Sequence, residues 1–380
     1  MKEIRIGLLG FGAMGKTHLY AVNNLPFYYK DLTFSARVTS LVTAHKESAQ
    51  RAASLYAIPH TAESEEEIIN DPTLDAIDIC TPNIFHYDTV CRALRAGKHV
   101  YCEKPLSVTY AQAREMAELA QKSGKTVQIV FNNRFMGAAI RARRLIEEGR
   151  LGRIISFRGE YLHTSAIFAD RPIGWKQNRD ICGGGVLFDL GSHVIDMIYY
   201  LCGRFASVVG ASQIAFPRRV GSDGQPWETN ADEAFYMLAR LESGAMGTIE
   251  VSKVAAGSND DLKIEVRGEK GALRFSLMDP NFLYFYDATR EDGVLGGERG
   301  YQAIECVGRY PAPGGSFPGM RAPVGWLRGH VGSMYSFLSA VAEGREASPS
   351  FEDGAHVQWV MEQAYKNDIS AKDSTGGLSK

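Results

Sequence analysis

The residues of this chain best placed to do chemistry are the charged pair in Cys102-Glu103-Lys104-Pro105. Residues 97–101 precede them and predict a helix stop followed by a short apolar strand. Proline fixes its own φ and drives the preceding residue towards extended conformations, so Pro105 takes the chain out of regular structure just beyond Lys104. If the strand belongs to a parallel sheet, Lys104 lies at its carboxyl edge, where open α/β sheets bind ligands.

An amine at that edge could exchange a proton with a bound molecule. The reference pKa of lysine, roughly 10.4, falls when the amine is removed from water or approached by a positive ring, so the neutral amine becomes available near neutral pH. Beside an oxidised nicotinamide, Lys104 could take the proton of a hydroxyl group while hydride leaves the same carbon. Glu103 and Lys104 could also be an ordinary solvated pair in a loop, because most charged residues are exposed.

A glycine-rich turn near the amino terminus favours the chemical interpretation. Residues 4–9 form a short, mostly apolar strand, and residues 16–25 have the pattern of a helix. The six residues between them match the dinucleotide fingerprint: Gly10, Phe11, Gly12, Ala13, Met14 and Gly15. In this pattern the first glycine makes a tight turn, the second lets the backbone approach a pyrophosphate, and the third packs the helix on the strand. We therefore predict that these residues bind the pyrophosphate of a dinucleotide.

The same region alternates between strand and helix patterns. Strands are predicted at residues 37–43, 76–80 and 126–131, and helices at 46–56, 64–69, 86–96 and 110–123. Right-handed crossovers make a doubly wound parallel sheet the economical topology, and we predict a Rossmann domain over residues 1–130. The residues expected beside the cofactor follow two of these strands: Thr81, Pro82, Asn83, Glu103 and Lys104. His86 could approach the cofactor too, or could cap a helix or be solvated.

The end of the second strand bears on the choice between NAD and NADP. About 20 residues after the glycines, NAD enzymes place an acidic residue on the adenosine ribose. This chain has the uncharged Thr43 there, with His45 and Lys46 close behind. These residues would not repel a 2′-phosphate and could bind it, although His45 and Lys46 could also simply begin a helix in water. We expect the cofactor to be NAD or NADP.

Residues 131–380 show a different pattern, which predicts an α+β domain for substrate binding and oligomerisation. Alternating segments predict a large, mostly antiparallel open sheet, with strands at 154–161, 234–241, 247–254, 263–267, 272–276 and 282–287. A long helix is predicted at 186–202. The predicted helices are too few to cover both faces of the sheet, and large apolar faces tend to become subunit interfaces. We expect a homodimer or homotetramer.

The start of the long helix holds a second set of polar residues. Three glycines at 183–185 precede it and let the backbone approach a ligand closely. A helix beginning near residue 186 brings Asp189, His193 and Asp196 to one face, at i, i+4 and i+7. A histidine among carboxylates can relay protons. The alternatives are an aspartate favoured by the helix amino terminus and a core histidine paired with an acid.

Together these motifs resemble the glucose-fructose oxidoreductase, inositol dehydrogenase and rhizopine-catabolism (Gfo/Idh/MocA) family. The resemblance rests on residues 10–15, on Glu103-Lys104-Pro105 and on residues 183–193, and it covers nearly the whole chain. Residues 156–162, 232–234 and 349–354 are similar to the levoglucosan dehydrogenase and C-glycoside 3-oxidoreductase group of that family. The resemblance implies that Lys104, Asp189 and His193 are catalytic. It also implies an enzyme that oxidises a secondary hydroxyl of a sugar, glycoside or cyclitol to a ketone, usually at C3 of a pyranose.

On this interpretation His193 or Lys104 removes the hydroxyl proton, and Asp189 fixes the substrate or the histidine. Candidate substrate-binding residues lie in segments after predicted strands: Asn133, Arg134, Tyr161, His163, Thr164, Trp175 and Lys176. Two other functions remain open. One is an NAD-dependent glycosidase that acts by oxidation and elimination, and the other is a sugar or redox sensor without turnover.

Composition narrows the class of protein. The chain has 380 residues, 45% of them hydrophobic, and a net charge of −2, so it can build two cored domains but has no basic footprint for nucleic acid or a membrane surface. No apolar run approaches the roughly 20 residues of a membrane helix, and no signal peptide is evident. The six cysteines have no CxxC spacing, which predicts reduced thiols in the cytoplasm and no metal site.

Overall fold

The structure is a computed structural model that describes residues 2–307, 310, 312–314, 317–319 and 321–370. The chain forms two compact units, Met1–Met136 with Gly308–Ala355, and Gly137–Val307 with His356–Lys380. This division differs from the expected one, 1–130 and 131–380, chiefly in the segment 308–355. That segment joins the first unit because the helix Trp326–Glu343 contributes Val331, Phe337 and Leu338 to the core beneath the first strands.

The first unit contains a parallel sheet flanked by helices. Among the described residues its sheet has six strands in the order β3-β2-β1-β4-β5-β6. The strands are β1 (Lys2–Leu9), β2 (Phe34–Val42), β3 (His60–Thr61), β4 (Ala76–Ile79), β5 (His99–Cys102) and β6 (Val127–Ile129). The helices are α1 (Ala13–Tyr28), α2 (Lys46–Tyr56), α3 (Glu65–Asn70), α4 (His86–Arg95) and α5 (Tyr110–Ser123).

The strand order brings the predicted chemical groups to one edge. The chain runs from β1 outward to β3 and then returns to the other side of β1 with β4, so the topological switch lies between β1 and β4. Leu9 pairs with Ile79, and Ile79 pairs with Cys102. The residues after these strand ends therefore lie side by side at the carboxyl edge, where doubly wound sheets bind their ligands.

The second unit is built on a mixed sheet. Its eight described strands have the order β16-β15-β14-β13-β7-β12-β11-β8, and all neighbours are antiparallel except β7 and β12. The elements up to the sheet's last strand are α6 (Gly137–Glu147), β7 (Ile154–Leu162), α7 (Arg179–Cys182), α8 (Ser192–Cys202), β8 (Phe205–Gln213), β9 (Arg218–Val220), β10 (Pro226–Glu228), β11 (Ala234–Leu241), β12 (Met246–Ser252), β13 (Asp261–Gly268), β14 (Gly271–Ser276), β15 (Phe282–Asp287) and β16 (Tyr301–Glu305). The last two helices in the described part of the chain are α9 (Trp326–Glu343), which belongs to the first unit, and α10 (Phe351–Lys366). The fold class expected from the sequence is confirmed.

Helix α8 packs closely on the inner face of this sheet because a glycine removes the side chain beneath it. A Cβ on Gly159 of β7 would lie 2.4 Å from Val194 of α8. Residues Arg179–Cys202 are long and apolar enough to cross a membrane by length and composition alone, but 83% of the apolar 18-residue stretch within them is buried in the fold. The segment is therefore placed as a core helix of this unit.

The predicted helix at 186–202 is interrupted. Leu187–Gly191 form a π-turn, and the α-helix proper begins at Ser192. The wider turn changes the expected face, since Asp196 is 1% exposed whereas Asp189 and His193 are half-buried. Single-turn π segments inside helices are frequent at functional sites. Seven elements were not predicted, namely helices α6 and α7 and strands β3, β8, β9, β10 and β16. The strands and helices predicted above lie within a few residues of the expected bounds.

Candidate active site

The dinucleotide fingerprint forms the turn between β1 and α1. Gly10 has φ +90°, and a Cβ there would lie 2.7 Å from the carbonyl oxygen of Cys80. A Cβ on Gly15 would lie 2.4 Å from the carbonyl oxygen of Gly10, so only glycine lets α1 pack on the turn. At Gly12 a Cβ would meet no described atom within 4 Å. The space over Gly12 and the amino terminus of α1 is thus open, as an approaching pyrophosphate requires.

A second feature at this edge fits a bound dinucleotide. Thr81 follows β4, and its Oγ1 is buried without a hydrogen-bond partner among the described residues. An orphaned buried hydroxyl is uncommon in folded proteins, and a ligand group is one way to satisfy it. Pro82 is half-buried and Asn83 is buried beside it. These residues and the glycine turn would hold the cofactor.

His86 holds the loops at this edge together. Its side chain is fully buried, with Nδ1 2.9 Å from the carbonyl oxygen of Pro105 and Nε2 2.9 Å from that of Thr81. Burial lowers the pKa of the His86 imidazole below its ordinary value. The ring joins the loop after β4 to the loop after β5, so it supports the cofactor edge from below.

Lys104 is half-buried in the loop after β5, and its main chain is held on both sides. On the amino side, its N–H donates to Oε2 of Glu103 at 3.1 Å. On the carboxyl side, the carbonyl of Pro105 meets His86. The chain thus presents the Lys104 side chain from a fixed backbone, which a general acid or base needs.

The Glu103 carboxylate belongs to a buried cluster that the sequence did not predict. His18 of α1 lies with Nε2 3.1 Å from Oε1 of Glu103 and Nδ1 2.9 Å from Oδ1 of Asp78. The thiol of Cys80 lies 3.1 Å from the same Nδ1. His18, Asp78 and Glu103 are all at most 6% exposed. The cluster lies directly beneath the turn that carries Lys104.

Ionisation within the cluster follows from its contacts. Burial lowers the pKa of the His18 imidazole, but the neighbouring Asp78 outweighs this and holds it well above the ordinary value. Burial raises the pKa of the Glu103 carboxyl, but the hydrogen bond from His18 and the charges of His18, Lys104 and His330 lower it to about 2. The two directions agree on a cationic His18 ring beside an anionic Glu103 carboxylate.

His18, Asp78 and Cys80 are also the one group of three potential metal ligands found in the described part of the chain. A tetrahedral metal with bonds of roughly 2.0 Å would separate its nitrogen and oxygen ligands by about 3.3 Å. The observed separation of 2.9 Å between His18 and Asp78 is that of a direct hydrogen bond. Hydrogen bonding therefore accounts for this cluster.

At the adenosine end, Thr43 is half-buried and its hydroxyl donates to the carbonyl of His45 at 2.8 Å. His45 and Lys46 are exposed at the start of α2, and Lys46 pairs with Glu63. Both partners of that pair are more than half exposed, so the pair contributes little to stability. It would not prevent Lys46 from turning to a phosphate. The strand end carries no carboxylate, as the sequence indicated.

Asn133 and Arg134 lie in a 3-10 turn, Asn132–Phe135, directly after β6. Both are buried, and the Arg134 guanidinium lies 3.5 Å from the carboxylate of Asp353. That carboxylate also accepts from the backbone N–H of Ser350 at 2.7 Å, at the start of α10. Arg134 thus anchors this turn in the first unit, and any contact with substrate stays a prediction.

In the second unit, Asp232 fixes the loop that leads to Asp189. Its carboxylate accepts from the backbone N–H of Gly185 at 3.0 Å and of Leu187 at 3.1 Å, and from the Tyr365 hydroxyl. A Cβ on Gly185 would lie 2.2 Å from the Asp232 carbonyl oxygen, so the approach requires glycine. Burial raises the pKa of the Asp232 carboxyl, whereas these three donors favour the carboxylate.

The carboxylate of Asp189 lies between two lysines. Oδ1 accepts from Lys176 at 2.8 Å, and Oδ2 lies 3.1 Å from Nζ of Lys253. The Lys253 side chain is 9% exposed and the Lys176 side chain 47% exposed. Both cations favour the ionised carboxylate, and the buried one does so with little screening by water.

A second carboxylate organises the other polar groups of this unit. Asp260 accepts from the Tyr161 hydroxyl and lies 2.9 Å from Nε2 of His163. Burial raises the pKa of the Asp260 carboxyl, but His163, Tyr161 and the charge of His193 hold it below its ordinary value. Burial and the Asp260 charge raise the pKa of the Tyr161 hydroxyl. The His193 ring packs edge-on against Tyr161, with centroids 5.9 Å apart.

The two remaining candidates differ in their surroundings. The Thr164 hydroxyl donates to the carbonyl of Ser258 at 3.0 Å, which ties down the loop after β7. Trp175 lies at the surface in a 3-10 turn, with the Lys176 ammonium 5.7 Å from its ring centroid. An exposed indole can still cover the apolar face of a ring-shaped ligand.

Sequence reasoning missed His18, Asp78, Asp232, Lys253 and Asp260, although the pattern contains a signal for three of them. His18 is a polar residue among the buried, otherwise apolar or glycine positions of α1, and Asp78 lies in a strand buried on both faces. Lys253 continues the inward alternation of Ile249 and Val251. A charged residue at an inward position needs a partner and so indicates a site.

Comparison with known proteins identifies the family. Residues 4–131 match the model "Oxidoreductase family, NAD-binding Rossmann fold", and residues 139–274 match "GFO/IDH/MocA C-terminal domain". A solved structure of levoglucosan dehydrogenase in complex with NADH and L-sorbose has a TM-score of 0.93 and 30% identity, covering 98% of both chains. The chain belongs to the Gfo/Idh/MocA family.

Two curated relatives indicate the kind of chemistry. Levoglucosan dehydrogenase of Pseudarthrobacter phenanthrenivorans is 29% identical over 387 residues, which cover 98% of each protein. D-glucoside 3-dehydrogenase of Escherichia coli K12 is 36% identical over 181 residues, 46% of this chain and 48% of that protein. This Gfo/Idh/MocA protein is accordingly an NAD-binding oxidoreductase of the sugar dehydrogenase kind.

Replacement of Thr43 tests how the strand end reads the ribose. We expect the wild type to bind both NAD and NADP, and Thr43→Asp to shift the ratio of dissociation constants towards NAD, because a carboxylate repels a 2′-phosphate. Thr43→Asn is the matched neutral control and should leave the ratio near that of the wild type. Titration of each cofactor by protein fluorescence measures the ratio. An unchanged ratio in Thr43→Asp would show that this position does not discriminate between NAD and NADP.

The two lysines on Asp189 provide a matched pair of variants. Lys253→Met breaks a buried ion pair and should lower the free energy of unfolding by about 3 kcal/mol. Lys176→Met breaks an exposed pair on the same carboxylate and should cost at most about 1 kcal/mol. Urea denaturation of each variant measures the difference, and equal losses would contradict the assignment of Lys253 as the principal counter-ion.

Proposed function

We propose that this protein oxidises a secondary hydroxyl of a pyranose, glycoside or cyclitol to a ketone, with C3 of a pyranose as the favoured position. The observation that carries the proposal is Lys104, presented at the cofactor edge from a backbone held by Glu103 and by His86 through Pro105. A lysine fixed in this way suits the proton transfer that must accompany loss of hydride from the same carbon. The bound nicotinamide supplies the hydride acceptor.

The proposed role of each residue follows from its surroundings within its own unit. In the first unit Lys104 accepts the hydroxyl proton at Nζ, while Thr81 and the glycine turn orient the cofactor. In the second unit Asp189, held ionised by Lys176 and Lys253, accepts a hydrogen bond from a substrate hydroxyl. His193 is the second candidate for the proton, and its ring packs edge-on against Tyr161.

The preference for a ring-shaped polyol rests on two supports. Tyr161, His163 and Asp260 form a hydrogen-bonded polar set next to His193, and Trp175 offers an exposed aromatic face. Sugars present several hydroxyls at their edges and an apolar face, which such groups match. The second support is the likeness to proteins named for levoglucosan and for the 3-position of D-glucosides.

The substrate class is tested with a panel of compounds. Levoglucosan, glucose, methyl glucosides and myo-inositol should reduce the cofactor, and lactate and ethanol serve as the contrasting acid and simple alcohol. NMR of the product should assign a new ketone to a ring carbon, with C3 expected for the pyranoses. Turnover confined to lactate or ethanol would overturn the proposal. Glycoside cleavage without net cofactor reduction would favour the NAD-dependent glycosidase, and binding without any turnover would favour a sensor.

Lys104→Ala tests the proton acceptor. We expect turnover to fall by roughly two orders of magnitude or more, the usual contribution of a general acid or base. The dissociation constant for NAD should stay near that of the wild type, because the glycine turn is untouched. Steady-state kinetics with the best substrate of the panel measures the loss, and near-normal turnover would remove Lys104 from the mechanism.

We also propose a cytoplasmic homodimer or homotetramer that packs through the outer face of the second unit's sheet. Val209, Tyr236, Leu238 and Met246 lie on three adjacent strands of that face and are between 43% and 50% exposed. The neighbouring charges have both signs, as in the pairs of Lys263 with Glu160 and Arg267 with Glu265. A face with apolar groups and both charges can match a second copy of itself.

Light scattering at micromolar concentration tests the assembly. The wild type should have at least twice the mass of one chain, and Leu238→Glu should lower that mass because it buries a charge in the apolar interface. Glu250→Gln, on the neighbouring strand, is a mild control. A monomeric wild type would contradict the proposal.

A further inference from the structure

Both ring nitrogens of His18 lie against carboxylates. Nδ1 is 2.9 Å from Oδ1 of Asp78, and Nε2 is 3.1 Å from Oε1 of Glu103. An ionised carboxylate only accepts hydrogen bonds, so a ring with a carboxylate on each side satisfies both contacts only when both nitrogens carry a proton. The side chain of His18 is 1% exposed, which leaves water little part in this arrangement.

We propose that His18 is a permanent imidazolium that holds Glu103 as a carboxylate and, through it, positions Lys104 for proton transfer. The link is direct, because the second oxygen of the same carboxylate accepts the backbone N–H of Lys104 at 3.1 Å. Loss of the cation would leave a buried carboxylate without its counter-charge, and the carboxylate would rotate or take up a proton. The main chain of Lys104 would then lose its fixed acceptor. The catalytic part of this proposal rests on the proposed function of Lys104.

The groups that face His18 from each neighbouring element support the cation. From β4 and the residue after it come Asp78 and the Cys80 thiol, the latter 3.1 Å from Nδ1. The Tyr101 ring of β5 packs with its centroid 5.1 Å away, and the His330 ring of α9 packs at 6.2 Å. Burial raises the pKa of both the Tyr101 hydroxyl and the Cys80 thiol, so these groups stay neutral near neutral pH. Two carboxylates therefore flank the ring of His18. The positive charges of Lys104 and His330 also act on Glu103 and lower the pKa of its carboxyl.

His99, at the start of β5, provides an internal reference in the same sheet. Its Nδ1 accepts the backbone N–H of Thr126 at 3.0 Å and so carries no proton. Burial and the nearby Lys125 and Lys2 lower the pKa of the His99 imidazole to about 4. The two histidines should therefore show opposite ionisation in one protein at neutral pH.

NMR of the protein labelled with 15N-histidine tests the charge without reference to activity. From pH 6 to pH 8, His18 should keep two protonated ring nitrogens, and His99 should keep one protonated and one bare nitrogen. His18→Gln and His99→Gln assign the signals by their absence. A bare nitrogen on His18 in this range, or a change of its signals on addition of Zn²⁺, would overturn the imidazolium. If His18→Gln folds poorly, Glu103→Gln assigns the His18 signals instead, because it shifts them. The wild-type spectrum then decides the charge of His18.

Kinetics in two backgrounds tests the action through Lys104. His18→Gln and Glu103→Gln should each lower kcat by roughly 10- to 100-fold, the scale of a displaced catalytic group, with the dissociation constant for NAD changed less than about twofold. The matched control His99→Gln removes a partly buried histidine hydrogen bond elsewhere in the sheet and should keep kcat near the wild-type value. In a Lys104→Ala background, His18→Gln should cause no further loss, because positioning an absent group has no effect.

The outcomes separate this inference from the proposed function. An equal loss from His18→Gln in both backgrounds would show a general structural role and overturn the positioning. Near-normal turnover of Lys104→Ala alone would overturn the proposed role of Lys104, whereas the NMR result on His18 would still stand or fall by itself.

Discussion

The arrangement of the first unit depends on one buried charge system, the imidazole of His18 between the carboxylates of Asp78 and Glu103. It joins α1, β4 and the end of β5, the three segments that frame the cofactor edge. Uncompensated charges in a protein interior are costly, so each member constrains the others. The turn that carries Lys104 is consequently held against α1 and β4. His86 completes the support by joining the loops at Thr81 and Pro105.

The second unit solves a similar problem by different means. Glycines at 159 and 185 allow α8 and the preceding loop to lie closer to the sheet and to Asp232 than any side chain would permit. Asp232 then satisfies the backbone N–H groups that the loop exposes as it enters the π-turn. Asp189 emerges from that turn between a buried and an exposed lysine. The chemistry proposed for this unit thus relies on the close approach that the glycines allow and on the ion pairs of Asp189.

Much of this could be predicted from the sequence, for physical reasons that differ from place to place. The turn at Gly10–Gly15 and the break at Pro105 are local, because their glycines and proline restrict the backbone whatever packs around them. The alternation of β11 and β15 likewise gave their bounds directly. The interruption at Leu187–Gly191 could not be seen, because it depends on Asp232, more than 40 positions later in the chain. His18 and Glu103 meet across 85 positions, so their pairing depends on the strand order.

The association of residues 308–355 with the first unit could not be predicted either, because it depends on contacts between residues far apart in the chain. Helix α9 reads as an apolar helix, but only the tertiary fold determines which core it joins. The residue expected to bear on cofactor preference, Thr43, could be identified from the sequence alone. Its hydroxyl donates to the carbonyl of His45, two residues later in the chain. Local chemistry was thus readable, whereas long-range pairing of buried charges was not.

The proposed reaction requires Lys104 to take the proton of the hydroxyl that is oxidised. A structure of the protein with NADH and a sugar substrate tests this requirement. We expect Nζ of Lys104 within hydrogen-bond distance, about 3.2 Å or less, of the oxygen on the carbon facing the nicotinamide. An ordered sugar whose facing hydroxyl is contacted only by other groups, with Lys104 directed away, would contradict it.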